Sequence, residues 1–126
     1  MRSRLLDDVS ILASRHFQER YVVNGTKEQY AIPEEILEAA LSSARAALDQ
    51  KSPNSALSAT EANAVIKFIA DASDAVSNLD LHDIAVTNKQ LIEQDERWET
   101  ARSAAGRLLG ALGSNLTEWE RQQGLA

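Results

Sequence analysis

The sequence contains no cysteine, two histidines and five glycines among its 126 residues. The absence of cysteine excludes disulfides, thiolate metal sites and thiol catalysis, and it fits a reducing compartment. A glycine-rich phosphate loop, a Gly-x-Ser-x-Gly nucleophile elbow and the Glu-x-x-His motif of di-iron bundles are missing as well. These absences favour a protein that binds another protein over an enzyme, and we predict no cofactor.

Long apolar runs are also missing. Arg2 and Arg4 precede Leu5, but Asp7 and Asp8 follow almost at once, so the first residues do not resemble a secretion signal. No segment approaches the roughly 20 consecutive apolar residues that a membrane span requires. We therefore expect no membrane partner, and we expect the protein to be cytoplasmic.

The charge is acidic and unevenly distributed. The formal net charge is −6. Residues 1–30 hold five basic and four acidic side chains, whereas residues 57–96 hold two basic and eight acidic ones. An acidic surface repels the phosphates of nucleic acids and speeds the encounter with basic proteins. We therefore expect a basic protein partner and no direct binding of nucleic acid.

Apolar residues recur at helical spacing along most of the chain, which predicts an all-α fold. The first helix is expected over about residues 4–20, where Leu5, Val9 and Leu12 fall on one line. His16 continues that line. We interpret it as a histidine at the edge of the core, hydrogen-bonded to a neighbour, because a lone imidazole there more often has a structural role than a catalytic one.

Proline and acidic residues mark the start of a second helix. Pro33 suits the first turn, because an N–H at that position would have no intrahelical partner. Glu34 and Glu35 follow and are favourable near the positive end of the helix dipole. An apolar stripe continues to Leu48, and residues 51–55 then break the helix.

A capping box opens the third helix. Ser58 and Glu61 have the required spacing, and the helix is expected to run to about Asn78. Its apolar arc is wide, and the opposite side carries Lys67, Asp71, Asp74 and Asn78. We place this arc on Ala62, Val65, Ile66, Ile69, Ala72, Val76 and Leu79, with Phe68 at its edge.

A second capping box, from Thr87 to Gln90, opens the last helix. Its apolar stripe stays in phase through Gly113, which predicts one long C-terminal helix over about residues 88–122. Such a helix would be roughly 50 Å long. A break at Gly113-Ser114 is the main alternative.

Three glycines share one flank of this last helix. Gly106, Gly110 and Gly113 each cost about 1 kcal/mol relative to alanine inside a helix. Close approach of another backbone would compensate for that cost. We therefore expect this flank to pack against another helix of the chain or against a partner.

Residues 21–32 are the least helical part of the chain. Asn24-Gly25 is a strong turn signal, and the flanking Tyr-Val-Val and Gln-Tyr-Ala-Ile segments could pair as a small hairpin. An ordered loop is an equal alternative. Short connections between the helices favour an antiparallel bundle of four main helices, forming a single domain over residues 1–126.

Asp80, His82 and Asp83 form the most metal-like patch of the sequence. A bound metal needs three or four ligands, and the sequence supplies no fourth group beside these three. We therefore interpret the patch as a solvated loop that caps a helix. No metal ligand and no catalytic residue is predicted, and an enzyme built on these carboxylates and His82 is the least favoured alternative.

Asp95 and Arg102 lie on either side of Trp98 on the predicted last helix. A structural ion pair at the edge of the apolar stripe is one interpretation. The other is a binding hot spot that includes Trp98 and Arg102, because tryptophan and arginine are enriched among the residues that dominate interfaces. Both alternatives remain open at this stage.

These patterns predict an acidic protein-binding module that neutralises or escorts a basic protein. Its most concrete form is an immunity protein that inhibits a toxin, and an effector is the other partner considered. The acidic segment 57–96 would steer the partner through Asp71, Asp74, Asp80 and Asp83. A homodimeric structural or regulatory subunit is the alternative, because the stripe of a long last helix could exceed what its neighbours cover.

Overall fold

A computed structural model describes residues 2–49, 57–79 and 87–125, and the protein is all-α within these ranges. The described residues form seven α-helices, one π-helical turn and no strand. The helices are α1 (Arg2–Ala13), α2 (Arg15–Gln18), α3 (Pro33–Leu48), α4 (Ala59–Ala75), α5 (Asn88–Gln94), α6 (Glu96–Ala111) and α7 (Leu116–Gln122). The π-helical turn, Glu19–Val23, continues directly from α2.

The first predicted helix is interrupted at Ser14. This residue has an extended backbone (φ −90°, ψ 104°), and its hydroxyl accepts a hydrogen bond from the Phe17 backbone N–H. A serine at this position satisfies a donor that the start of a helix otherwise leaves without an intrahelical partner. The prediction of one continuous helix over residues 4–20 was wrong, because this cap redirects the chain.

Residues 24–32 form an ordered loop, which was one of the two alternatives from the sequence. The loop is tied to the π-helical turn, because the Ala31 N–H donates to the Tyr21 carbonyl at 2.8 Å. A tight internal turn is closed by the Thr26 N–H, which donates to the Gln29 carbonyl at 2.8 Å. No strand pairs in this segment, so the hairpin alternative is excluded.

The predicted caps of the other helices are confirmed. Pro33 occupies the first turn of α3. Ser58 and Glu61 form the capping box of α4, and Thr87 and Gln90 form that of α5. These starts depend on local chemistry alone, which explains why the sequence was sufficient to place them.

The long C-terminal helix was also a wrong prediction, because the chain is broken twice into α5, α6 and α7. Asp95 ends α5 with an extended backbone and caps α6 through its carboxylate. The second break is the alternative that the sequence offered, at Gly113-Ser114. Gly113 has φ +74°, a left-handed conformation that glycine adopts without steric cost.

Helix α6 lies at the centre of the packing, against α4 on one side and α1 on another, while α1 also packs against α3. Trp98, Ala101 and Ala105 on α6 are completely buried. The buried face of α4 is set by Val65, Phe68 and Ala72. The list of residues in the α4 arc therefore needs one correction, since Ile66 is 54% exposed and Phe68 is 2% exposed.

Asp95 gives the fold a pH dependence that can be measured. Its carboxylate accepts three hydrogen bonds from Arg97, from the backbone N–H at 2.9 Å, Nε at 3.1 Å and Nη2 at 2.8 Å. Hydrogen bonding to the Arg97 side chain lowers the pKa of Asp95 below its usual range. A carboxyl with a lowered pKa contributes stability above its unfolded pKa, about 3.9, and this contribution disappears as pH falls through the folded pKa.

We therefore expect Asp95→Asn to lower the free energy of unfolding by about 1 kcal/mol at pH 7. The difference from the wild type should shrink progressively below about pH 4. Urea unfolding followed by circular dichroism at pH 7, 4 and 3 measures this difference in the free energy of unfolding. Asp74→Asn is the matched control, because Asp74 is exposed on α4 and its removal should change stability by less than about 0.5 kcal/mol. A pH-independent difference would contradict this account.

Candidate functional site

The acidic residues predicted to steer a partner lie in different surroundings. Asp71 is paired with Lys67 on the same face of α4, with 2.9 Å between Nζ and Oδ2. Asp74 is exposed on the same helix. Asp80 and Asp83 lie outside the described residues. Lys67 thus offsets part of the negative charge that the sequence assigned to α4.

Trp98 and Arg102 belong to a buried polar cluster centred on Gln18. The Gln18 Oε1 accepts hydrogen bonds from Trp98 Nε1 at 2.9 Å and from Arg102 Nε at 3.1 Å. The Gln18 Nε2 donates to the carbonyls of Ile11 at 3.0 Å and Leu12 at 2.7 Å, near the end of α1. Gln18 and Trp98 are completely buried and Arg102 is 6% exposed, so the cluster joins α1, α2 and α6 inside the protein.

Arg102 also caps the C-terminal end of α5. Its Nη2 donates to the Ile92 carbonyl at 2.6 Å, and its Nη1 pairs with Glu99. Burial lowers the pKa of Arg102, although an arginine in a protein remains charged. The predicted ion pair between Asp95 and Arg102 was wrong, because Asp95 pairs with Arg97 instead. Because Trp98 and Arg102 are buried, they offer a partner almost no surface in this conformation.

A serine, a histidine and a glutamate meet where α7 packs on α2. Ser14 Oγ donates to Glu120 Oε2 at 2.6 Å, and His16 Nδ1 lies 2.8 Å from the same oxygen. In a catalytic triad the serine would instead bond the imidazole. Here Ser14 is completely buried and its hydroxyl is shared between Glu120 and the Phe17 N–H, so these contacts hold α7 in place. The predicted hydrogen bond of His16 is confirmed, although its side chain is 62% exposed.

Among the described residues, none packs against the glycine flank of the last helix. A Cβ atom built on Gly106, Gly110 or Gly113 would have no heavy atom within 4 Å. The expected packing against another helix of the chain is therefore absent there, and the alternative of a docked partner stays a prediction. Only Gly113 has a conformational reason, its positive φ, and the structure gives none for Gly106 and Gly110.

The most distinctive surface surrounds Tyr30. This side chain is 64% exposed, and it lines three adjoining depressions of about 870, 270 and 220 Å³. Ile32 beside it is 40% exposed, so an aromatic and an aliphatic side chain are exposed next to each other. We define the Tyr30 surface by Phe17, Tyr21, Tyr30, Ile32, Glu35 and Glu38.

Gly25 allows the loop to hold Tyr30 in this position. A Cβ on Gly25 would lie 2.4 Å from the Tyr21 carbonyl oxygen and 2.9 Å from the Tyr30 Cβ. Both distances are shorter than real contacts, so any larger residue would displace the loop. The Tyr21 carbonyl also accepts from the Ala31 N–H at 2.8 Å. The position of Tyr30 therefore depends on tight backbone packing against the π-helical turn.

The charge around Tyr30 is predominantly negative. The largest depression is lined by three carboxylates from the first half of α3 (Glu34, Glu35 and Glu38) and by one ammonium group from Lys27. Glu35 and Glu38 are exposed. Aromatic and aliphatic side chains thus lie next to carboxylates, an arrangement that suits a ligand with both apolar and cationic groups.

The sequence analysis did not single out Tyr30, Ile32, Glu35 or Glu38 as binding residues. A signal was present: Tyr30 and Ile32 lie between a turn and Pro33, outside every helical apolar stripe. Large apolar residues in a loop without periodicity have no helix face to bury them. The acidic first turn of α3 was recognised, but only as a favourable helix start.

Three further observations bear on function. Among residues 2–49, 57–79 and 87–125, no group of three His, Asp or Glu side chains could hold a metal ion. Within the same ranges, every helix is too short or too polar to cross a membrane. The chain matches no protein-family model, no curated protein sequence and no solved structure.

Proposed function

We propose that the protein is an acidic binding module that neutralises or escorts a basic protein partner. The observation that carries this proposal is the Tyr30 surface, where exposed Tyr30 and Ile32 adjoin the exposed carboxylates Glu35 and Glu38. Covering an exposed tyrosine contributes strongly to binding, and tyrosine is enriched among interface residues with large energetic effects. Carboxylates around it speed the encounter with a basic partner and disfavour acidic ones.

The most concrete form of this function is an immunity protein that acts in the cytoplasm of the cell that makes it. It would inhibit a basic toxin by covering the surface that the toxin needs, without any reaction of its own. The formal net charge of −6 supports rapid association with such a partner. An effector kept inactive until its release is the other partner that this chemistry suits.

Photo-crosslinking tests the proposal and locates the contact. A photoreactive amino acid is placed at Tyr30 in one variant and at the exposed Ile66 of α4 in another, and both proteins are expressed in the cells that naturally make them. We expect a crosslinked partner of basic isoelectric point from position 30 and much less of it from position 66. Recovery of acidic partners only, or of none, would contradict the proposal.

Salt dependence then tests the electrostatic part. Raising the ionic strength from about 0.1 to about 1 M shortens the screening length from about 10 Å to about 3 Å, and it should slow association with the captured partner. The Glu35→Gln/Glu38→Gln variant should associate more slowly than Asp71→Asn/Asp74→Asn if the Tyr30 surface steers the partner. The reverse order would move the steering role to α4. Binding that is indifferent to salt would count against the proposal.

The alternative of a homodimeric structural or regulatory subunit has lost one of its supporting features, because the last helix is broken at Asp95 and again near Gly113. Sedimentation velocity over a hundredfold range of concentration distinguishes the two functions. A dimer that persists at the lowest concentration would favour the alternative. The enzyme alternative depended on Asp80, His82 and Asp83, which lie outside the described residues.

A further inference from the structure

We infer that the Tyr30 surface takes a segment of the partner in which one large apolar side chain stands next to arginine or lysine. This inference rests on the proposed function and deepens it, because it states which chemistry the partner presents. The two parts of the segment would occupy two depressions that share the walls formed by Tyr30, Ile32 and Glu35.

The smaller depression suits the apolar side chain. It has a volume of about 220 Å³, and its walls include Ile11, Phe17, Ile32 and Ile36. Pockets that enclose a small-molecule ligand usually begin at about 300 Å³. A depression of that size has room for one leucine, phenylalanine or tryptophan side chain of a protein. It is open to solvent, and Asp8 and Glu35 also line it, so its apolar walls lose their water only when a partner covers them.

The larger depression suits the cationic side chain. Its volume is about 870 Å³, and three carboxylates against one ammonium group leave its lining net negative. Glu35 and Glu38 are one turn apart on α3, so both can approach the same guanidinium group. Arginine binds carboxylates through paired, charge-assisted hydrogen bonds, which are stronger than neutral ones. Lys27 on the opposite wall would repel a cation only if the segment passed close to it.

Tyr30 lines both depressions and can contact both groups. The residue is 64% exposed, so a cation can lie over the face of its ring while the neighbouring apolar side chain packs against the ring edge. A similar contact exists within the protein, since the Arg20 guanidinium lies 5.5 Å from the centre of the Tyr21 ring. The shared walls require the apolar and basic side chains to lie side by side on the partner, and neighbouring positions of one segment supply such a pair directly.

Synthetic peptides test this inference directly. A fluorescein-labelled Gly-Ser peptide carrying Arg-Trp-Arg at its centre is compared with peptides carrying Arg-Ala-Arg and Glu-Trp-Glu, by fluorescence anisotropy with the full chain. We expect the Arg-Trp-Arg peptide to bind at least about tenfold more tightly than either comparison peptide. Tyr30→Ala should weaken its binding by about tenfold or more, whereas Ile66→Ala should leave it unchanged. Because Tyr30 is exposed, Tyr30→Ala should keep the fold, and circular dichroism checks that it does.

Gly25→Ala provides a second variant, because it displaces the loop without removing a contact side chain. It should weaken peptide binding to a similar extent. Equal binding of the Arg-Trp-Arg and Arg-Ala-Arg peptides, insensitivity to Tyr30→Ala, or no binding at about 1 mM peptide would each overturn the inference. If the peptides do not bind as expected but a basic partner is crosslinked from position 66, this inference fails while the proposed function stands. The failure of the inference and the failure of the proposed function can therefore be told apart.

Discussion

Replacing Gln18 by leucine is expected to lower the free energy of unfolding by about 3–5 kcal/mol. Leucine is similar in size but has no polar atom. The change would leave Trp98 Nε1 and Arg102 Nε without their common acceptor inside the protein. It would also remove the donor that the carbonyls of Ile11 and Leu12 share. Each buried polar group left unpaired costs about 1–3 kcal/mol, and a charged one costs more.

Urea unfolding of Gln18→Leu against Gln94→Leu measures this effect. Gln94 is exposed at the end of α5, so its replacement should change stability by less than about 0.5 kcal/mol. A double-mutant cycle with Trp98→Phe then isolates the shared hydrogen bond, and Trp98→Phe should cost less in the Gln18→Leu background than alone. A loss below about 1 kcal/mol for Gln18→Leu would mean that water or a repositioned side chain satisfies the cluster.

Phe68→Ala is expected to lower the free energy of unfolding by about 3–5 kcal/mol, whereas Ile66→Ala should change it by less than about 0.5 kcal/mol. Phe68 is 2% exposed, next to Leu108 and Ala104 in the groove between α4 and α6. Removal of its ring leaves a cavity that the surrounding helices fill only in part. Ile66 is 54% exposed, so little buried area is lost, and alanine is the better helix former.

The comparison of Phe68→Ala with Ile66→Ala shows which face of α4 is turned toward the core. The two residues are separated by only two positions, and the apolar pattern of the sequence placed Ile66 inside the arc and Phe68 at its edge. Thermal unfolding of both variants gives the comparison. A large loss for Ile66→Ala together with a small one for Phe68→Ala would mean that the helix is turned toward the other face.

The sequence was sufficient for features that depend on neighbours a few residues away. Helices begin at Pro33 and at the capping boxes of Ser58 and Thr87 because these residues contact the first turn of the same helix. The all-α class follows from the repeated apolar spacing. The left-handed Gly113 was recognised as a place where a helix could end. Such features require no knowledge of the tertiary structure.

The breaks at Ser14 and Asp95 could not be predicted from the apolar pattern, because they depend on individual capping side chains and on contacts with other helices. Ser14 and Asp95 both interrupt apolar stripes that stay in phase, and the cost of each break is offset by side chains from other helices. Glu120 bonds Ser14 across 106 positions, and Arg102 caps the end of α5. A periodic pattern cannot register such contacts. It therefore predicted longer helices than the chain forms.

In the candidate site, too, some features depend on local sequence and others depend on tertiary contacts. A turn was predicted at Asn24-Gly25, but the chain closes its tight turn from Thr26 to Gln29 instead. The exposure of Tyr30 was not predicted, since it follows from how the loop packs on the π-helical turn. Trp98 and Arg102 had the composition of an interface hot spot. Their burial depends on Gln18, which is 80 or more positions away. Residue type alone did not separate a buried cluster from a binding surface.

The π-helical turn at Glu19–Val23 sets the direction in which the chain leaves α2. Such a turn holds one more residue than an α-helical turn, and each residue of a helix rotates the chain by about 100°. Deleting a single codon here would restore α-helical geometry and swing Asn24 to another side of the protein. The position of Tyr30 thus depends on the one extra residue that this turn holds several positions earlier in the chain.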